Sequence, residues 1–337
     1  MKLFQISNPP VRYWLLTDVM EKDEDDPLLL QARKDCAKFH PRVRLLSTLR
    51  DDGTWPISKQ RKLAENSGPG QPVGWTYPTI IRNLYALLQY NTPTSERRVR
   101  NALEKVFSWQ AEEGFISGPW TKAFPIPHWN GYTLHVLLRC GLEEDPRTQK
   151  LISWLLSMQR TDGGWNMPYL EDVRYLPEYR HMRVGKFMEL MGTIDKSQFD
   201  LKKFDRVPSS IWATVQVVWG LVESPKWIRS QQVKRGAEFF LNRFFKRNYH
   251  ATFYQSENNW TRLKYPPYFG SGLSALDILT KSGYGPDDER MERPIRWLLS
   301  AKSNDGLWYQ SERPNPEKDQ WITVIALRVL KRYRDRY

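Results

Sequence analysis

The feature that most constrains the fold is a turn that recurs. Residues 46–55 read LSTLRDDGTW, 107–116 FSWQAEEGFI, 156–165 LSMQRTDGGW and 299–308 LSAKSNDGLW. Aligned, they place a glycine at Gly53, Gly114, Gly163 and Gly306, preceded by Asp or Glu and followed two residues later by Trp or Ile. Residues 244–254, FFKRNYHATFY, hold the position of a fifth copy but lack the glycine. With that copy in the long gap the spacing is roughly 50–60 residues, a period typical of arrays whose units bury their apolar faces on one another.

Each unit has two helical halves. The segments before the turns, 95–110, 147–159, 230–247 and 291–302, carry apolar residues three and four apart, as in Ile152, Leu155 and Leu156. The segments after them, 78–89, 130–139, 210–222, 271–279 and 320–331, are apolar around most of their circumference, which implies burial on several sides. The links from an apolar helix to the next amphipathic one, NTPTSE, LEEDPRT, ESPKW and GPDDER, read as helix N-caps that place Asp and Glu near free amides. No run of alternating β-branched residues argues for a substantial sheet. The expected fold is all-α: αα-hairpins, five to six in number, arranged as one (α/α) toroid over residues 1–337, with the apolar helices innermost and a long inserted loop at 166–208.

Composition narrows the class further. Aromatic residues make up 13% of the chain, with 15 tryptophans, and the formal charge is +13. The excess of positive charge admits an anionic lipid surface, a phosphorylated ligand or nucleic acid, with nucleic acid the weakest of these partners. Cys36 and Cys140 are far apart and form no CxxC, so neither a disulfide framework nor a cysteine zinc site is expected. No apolar run approaches the ~18 residues of a membrane span, and the N-terminal MKLFQISNPPVRYW does not read as a secretory signal. The expected setting is cytoplasmic, with peripheral membrane contact open and the oligomeric state unassigned.

The turn, with Gln159 to Trp165 as its fullest copy, resembles the QW repeat of terpenoid cyclases, which protein prenyltransferase beta subunits share more loosely. The resemblance spans roughly residues 11–333. It implies the toroid and a central cavity that holds an apolar ligand, an isoprenoid diphosphate among the candidates. The turn itself reads as a structural staple, with glycine allowing a tight helix exit and indole covering a helix end.

The chemistry of such families is testable on the residues. A D-x-D-D is present at Asp23, Asp25 and Asp26, but it falls at a hairpin tip, where a solvated helix cap is expected instead of a cavity acid. Asp287–Asp288 lacks the third carboxylate of a magnesium cluster. The stretch Asp319-Gln320-Trp321-Ile322-Thr323 is similar to the D-x-Y-H-T of the prenyltransferases, with Ile322 where a zinc-binding histidine would stand. Asp319, Asp23, Asp25 and Asp26 are therefore the weak catalytic candidates, no metal site or cofactor is implied, and the catalytic step stays unassigned. The thioester C-G-E-Q is absent, and a lanthionine-cyclase zinc set would need more than Cys36 and Cys140 offer.

The remaining candidates are ligand-binding. Loops entering the apolar helices are aromatic and basic: Trp75 and Tyr77; His128, Trp129 and Tyr132; Trp212; Arg262, Lys264 and Tyr268; Trp321. The inserted loop adds Arg180 and His181 as parts of a lid. Two other readings remain open. A carbohydrate-active (α/α) barrel, whether hydrolase, lyase or epimerase, would place a carboxylate pair at the cavity. A non-catalytic, partner-binding scaffold would have a filled or narrow centre.

Overall fold

The computed structural model describes residues 2–57, 69, 74–117, 126–166, 181–183, 186, 190, 208–247 and 257–335. Most of the 166–208 insertion, Arg180 included, lies outside the described residues. Among those described, every regular element is helical, and β-pairing is limited to two isolated bridges, Gln110–Ile116 and Trp165–Ser210. In chain order the α-helices are α1 Lys2–Ile6, α2 Pro9–Trp14, α3 Pro27–Lys38, α4 His40–Ser47, α5 Thr76–Gln89, α6 Arg97–Phe107 and α7 Pro127–Arg139. They continue with α8 Pro146–Ser157, α9 Ile211–Leu221, α10 Gln231–Leu241, α11 Gly272–Lys281, α12 Glu292–Ser300 and α13 Pro316–Arg334. A π-helical turn, Leu15–Val19, extends α2. Among the described residues no helix is long and apolar enough to cross a membrane.

The two helix types expected from periodicity are both present. In α9 every residue is buried, and in α11 every residue from Gly272 to Thr280 is. The α6 helix buries only Val99, Ala102, Leu103, Val106 and Phe107, a single stripe. Successive buried helices are packed neighbours: α5 on α7, α7 on α9, α9 on α11, α11 on α13, and α13 on α2 and the π-turn. At the other end of this series Trp14 Nε1 donates to the Gln89 carbonyl that ends α5, at 2.8 Å. Contact is tightest between α7 and α9, where a Cβ on Gly220 would stand 2.3 Å from the Gly131 carbonyl oxygen.

The hairpin tips are capped as their composition implies. Asp145 Oδ1 accepts from Arg147 N at the start of α8, and Asp26 Oδ1 accepts from Leu28 N at the start of α3, both at 2.8 Å. Each cap satisfies an otherwise orphaned first-turn amide.

The recurring turn has one hydrogen-bond plan. Arg50, Ala111, Arg160 and Ser303 each donate their amide to a carbonyl four residues on, and each accepts from the turn glycine. Three indoles then donate to the carbonyl ten residues upstream, in the preceding helix: Trp55 to Leu45, Trp165 to Leu155 and Trp308 to Leu298, at 2.7–2.9 Å. The backbone amide of the Trp or Ile is held by a polar side chain of the buried helix that follows: Ile116 by Asn130, Trp165 by Thr214 and Trp308 by Thr323. Gln159 adds a third tie, its Nε2 donating both to the Gly163 carbonyl and to Gln232 O in the next amphipathic helix. Gln110 does the same with Gly114 and Arg147.

The degenerate copy corrects the alignment by sequence. Residues 248–254 of the expected fifth copy lie outside the described residues, and the indole is supplied by Trp260, which donates to Lys246 O at 2.7 Å and is fully buried. That unit needs a longer span than the others, and a fixed-length alignment therefore misses its tryptophan.

The turn glycines make a controlled comparison. Gly163 and Gly306 have nearly the same φ, +88° and +87°. A Cβ on Gly163 would lie 2.7 Å from the Arg235 carbonyl oxygen of α10, whereas nothing stands within 4 Å of one on Gly306. Gly306→Ala is expected to cost about 1–2 kcal/mol, the price of left-handed backbone. Gly163→Ala should cost a further ~1–3 kcal/mol of steric strain, and urea unfolding of the two variants measures the difference. Equal losses would mean that turn and neighbouring helix are not in contact. Trp260→Phe leaves the Lys246 carbonyl without its donor and is expected to destabilise by about 1–3 kcal/mol in the same assay.

Candidate functional site

The aromatic residues expected at the mouth of a cavity pack on one another. Tyr77 is buried, and its hydroxyl shares a 2.5 Å hydrogen bond with Thr133 Oγ1. Its ring lies 6.2 Å from that of Trp129, and the Trp129 ring lies 6.0 Å from that of Tyr132. Tyr132 in turn stacks on Tyr268 at 4.5 Å. The Arg82 guanidinium sits over both Trp129 and Tyr268, at 5.3 and 5.8 Å. Burial raises the Tyr77 and Tyr132 phenols well above their ordinary range and pushes the neighbouring His128 imidazole down to about 4.

The other candidates are dispersed. Trp75 is half-buried at the start of α5, where its carbonyl accepts from Thr79 Oγ1. Trp212 is buried against Trp260, with ring centroids 4.7 Å apart. Trp321 stacks on Tyr265 at 5.5 Å with the planes nearly parallel. Lys264 bonds Asn259, and burial, then Arg262, brings its ammonium down to about 8. Arg262 and His181 are exposed.

The acid candidates are structural. Asp319, buried, receives the amides of Gln310 at 2.9 Å and Asn315 at 2.5 Å and so clamps the loop before α13. Asp26 caps α3 and pairs with Lys22 at 3.0 Å, which with the Leu28 amide lowers its pKa. Asp23 and Asp25 are exposed on the turn before it. The D-x-D-D therefore forms a helix cap and not a cavity acid.

Of the residues that do converge, sequence reasoning selected Trp321 and missed the charged ones. A cavity of about 120 Å³ lies among the later turns of the buried helices. Each helical segment contributes a pair four residues apart, Glu223 lying in the turn just past α9: Trp14 and Asp18, Tyr85 and Gln89, His135 and Arg139, Trp219 and Glu223, Asp277 and Lys281, Arg328 and Arg332. Residues at i and i+4 lie one above the other on a helix, so one pair from each helix lines one wall from top to bottom. Asp18 belongs to the π-turn, whose wider winding carries the first pair. The legible signal was a charged residue inside an otherwise apolar run, as in SALDILTK and VIALRVLKR. It is a weak signal in one segment and a strong one when it recurs in step.

The charges are arranged as two linked groups. Arg328 binds Asp277 through two parallel hydrogen bonds, Nε to Oδ1 at 2.9 Å and Nη2 to Oδ2 at 2.7 Å, and reaches Asp18 Oδ2 through Nη1 at 2.9 Å. Arg332 Nη1 shares Asp277 Oδ1 at 3.0 Å. In the second group Lys281 Nζ bonds Glu223 Oε1 at 2.7 Å. His135 Nδ1 is 3.4 Å from the same oxygen and has no hydrogen-bond partner among the described residues. The His135 ring lies 3.6 Å from that of Trp219, nearly parallel to it. Arg139 stays 4.0 Å from Glu223 Oε2 and lies over the Trp14 ring at 4.8 Å.

Burial of so many charges requires pairing, because the desolvation cost is recovered only through close opposite charge and hydrogen bonds. Burial would raise the Asp277 pKa, but Arg328 and Arg332 more than reverse this and hold it below the ordinary 3.8. Burial opposes ionisation of Glu223 too, and His135, Lys281 and Arg139 bring it down to about 2. Burial takes the His135 imidazole down to about 3, so it is neutral at pH 7. Cys36 and Cys140 are buried thiols pushed up to about 12, outside this cluster and unreactive as nucleophiles. Among the described residues no group of three His, Cys, Asp or Glu could hold a metal ion.

Comparisons with known proteins add little. No family model matches the chain, and no curated protein matches it. Among solved structures, the crystal structure of a protein from Actinoplanes is similar over 98% of this chain and 89% of its own, at 14% identity and a TM-score of 0.44. Identity and score are both too low to carry an argument about fold or function.

The cluster sets a pH dependence. Between the ordinary histidine value of 6.5 and about 3, unfolded His135 binds a proton that the folded protein excludes, so stability rises with pH over that window. The expected slope from this residue is about 1.4 kcal/mol per pH unit, so His135→Gln should remove about 2.5 kcal/mol of the loss between pH 6 and 4. Glu223 adds a further loss as pH falls from its ordinary 4.5 towards 2. Urea titrations at stepped pH check both, and an unchanged slope in the variant would place His135 outside the buried cluster.

Proposed function

We propose that this chain is an (α/α) toroid of the kind found in terpenoid cyclases and prenyltransferases, and that its centre binds a small polar molecule. The observation that carries the reading is the convergence of one i, i+4 pair from each of six buried helical segments on a single cavity. The ordered series of helix neighbours and the Trp14–Gln89 bond support closure of those helices into an inner ring.

The size and lining set the kind of ligand. At about 120 Å³ the cavity is many times the ~15 Å³ that one water requires and well below the ~300 Å³ at which pockets for drug-sized ligands begin. A long isoprenoid chain is therefore a poor match, and the aromatic groups that would have enclosed it are already packed together. A second reading, a partner-binding scaffold with a filled centre, draws on that same aromatic packing. The charged wall favours the first, because a scaffold gains nothing from gathering seven largely buried ionised side chains around an unfilled space.

Val324, which is buried and faces the cavity, provides the test. Native mass spectrometry of the protein incubated with a metabolite extract is expected to show one retained small molecule. Val324→Phe should abolish retention while lowering stability by about 1–3 kcal/mol, the usual cost of overpacking. Retention that survives the filling of the cavity, or none in the wild-type protein, would favour the scaffold.

A further inference from the structure

We infer that the central cavity is a site for a small monoanionic carboxylate with a flat, apolar body, and that Arg139 is the residue that receives its carboxylate. This assignment rests on the cavity reading above and gives its ligand a chemistry.

Charge supplies the first argument. Arg139, Lys281, Arg328 and Arg332 face Asp18, Glu223 and Asp277 across the cavity, and His135 is neutral, which leaves one positive charge in excess. The pairing identifies where the excess resides. Arg328 is bound by both Asp277 and Asp18, Arg332 shares Asp277, and Lys281 is bound to Glu223. Among the described residues Arg139 alone of the four makes no hydrogen bond, and Glu223 Oε2 is 4.0 Å from its Nη1. A guanidinium presents five N–H donors in a fork that matches a carboxylate edge, so an unbonded one beside a cavity is the strongest anion receptor in this wall.

A second and independent observation is the orphaned His135 Nδ1. Its side chain is 5% exposed, and an unsatisfied polar atom so deeply buried is costly unless something else meets it. His135 and Arg139 are one turn apart on α7, so one ligand can engage both.

The third argument is the shape of the rest. Trp14, Tyr85, Trp219 and Trp321 supply aromatic wall between the charged positions. Such a wall favours a flat apolar body over a hydrated inorganic ion, and a single excess charge favours a monoanion over a phosphate dianion. The charged residues of the site lie at the C-terminal turns of α7 and α11, and the loop after Lys264 reaches the same cavity through Pro267.

Benzoate and benzamidine are a matched pair of probes, equal in shape and opposite in charge. Isothermal titration of the full chain is expected to show benzoate binding one to one, with quenching of tryptophan fluorescence, and no competition from benzamidine. Arg139→Gln should weaken benzoate at least tenfold. Because Arg139 makes no hydrogen bond and Glu223 keeps Lys281, that variant should fold, and circular dichroism checks this. Arg139→Lys, which keeps the charge and loses the fork, should fall between the two. Inorganic phosphate at the same concentration should bind more weakly than benzoate. Absence of benzoate binding, equal binding of benzamidine, or an unchanged affinity in a folded Arg139→Gln variant would overturn the assignment. If benzoate fails while a cavity-dependent molecule is retained in native mass spectrometry, only the carboxylate chemistry falls. If neither is found, the cavity reading falls with it.

Discussion

The structure depends on an indole that bonds back to its own helix. In Trp55, Trp165 and Trp308 the ring N–H caps a carbonyl near the end of the preceding helix, in Trp260 it caps Lys246 O in the turn that follows that helix, and all four rings are almost or wholly removed from water. A helix end has carbonyls without intrahelical partners, and a buried one must find donors elsewhere. The tryptophan supplies the donor together with a large apolar surface, so one residue both satisfies the helix end and fills the space beside it. In the Trp165 and Trp308 copies the same turn also grips the following buried helix, through Thr214 or Thr323, so that each of these copies joins its own helix to the next buried one, and the Ile116 copy keeps that grip through Asn130. A local turn thereby becomes a rule for how units join.

The centre obeys a different constraint. Side chains that face inward from several buried helices meet in a confined volume, and two outcomes are seen along its length. Towards the helix starts, Tyr77, Trp129, Tyr132 and Tyr268 occupy the space. Towards the helix ends, charges occupy it, each anion tied to a cation and the whole carrying an excess of one positive charge. The close approach of α7 and α9 at Gly131 and Gly220 narrows the interior further, because neither position has a side chain to hold the backbones apart.

The N-terminal segment is packed separately from the rest. Its apolar residues, Leu3, Val11 and Leu15, form a cluster with Leu307, Trp321 and Val324, while Leu16, Leu29 and Ala32 form another, both distinct from the main core that begins at Leu49. This segment nonetheless contributes Trp14 and Asp18 to the cavity and touches both ends of the series of buried helices. The cavity wall is thus completed by residues distant in sequence and held by a small local core.

Much of this was legible in the chain and some of it was not, for reasons that can be given residue by residue. The glycine and tryptophan of each turn, the Asp145 and Asp26 caps and the contrast between α6 and α9 are all local: they follow from hydrogen bonds within a turn and from periodicity within one helix. They determine an all-helical protein of repeated hairpins. The Trp260 staple escaped because its unit is longer, and sequence could not tell the rings that pack on one another, Tyr77, Trp129 and Tyr132, from Trp321, which lines the cavity. The charged centre was decided only in three dimensions. Asp277, Arg328 and Asp18 are separated by up to 310 residues, and the energy of their contact depends on distance and burial that no one segment contains. Sequence set which residues each helix could point inward, and tertiary packing alone set which of them met.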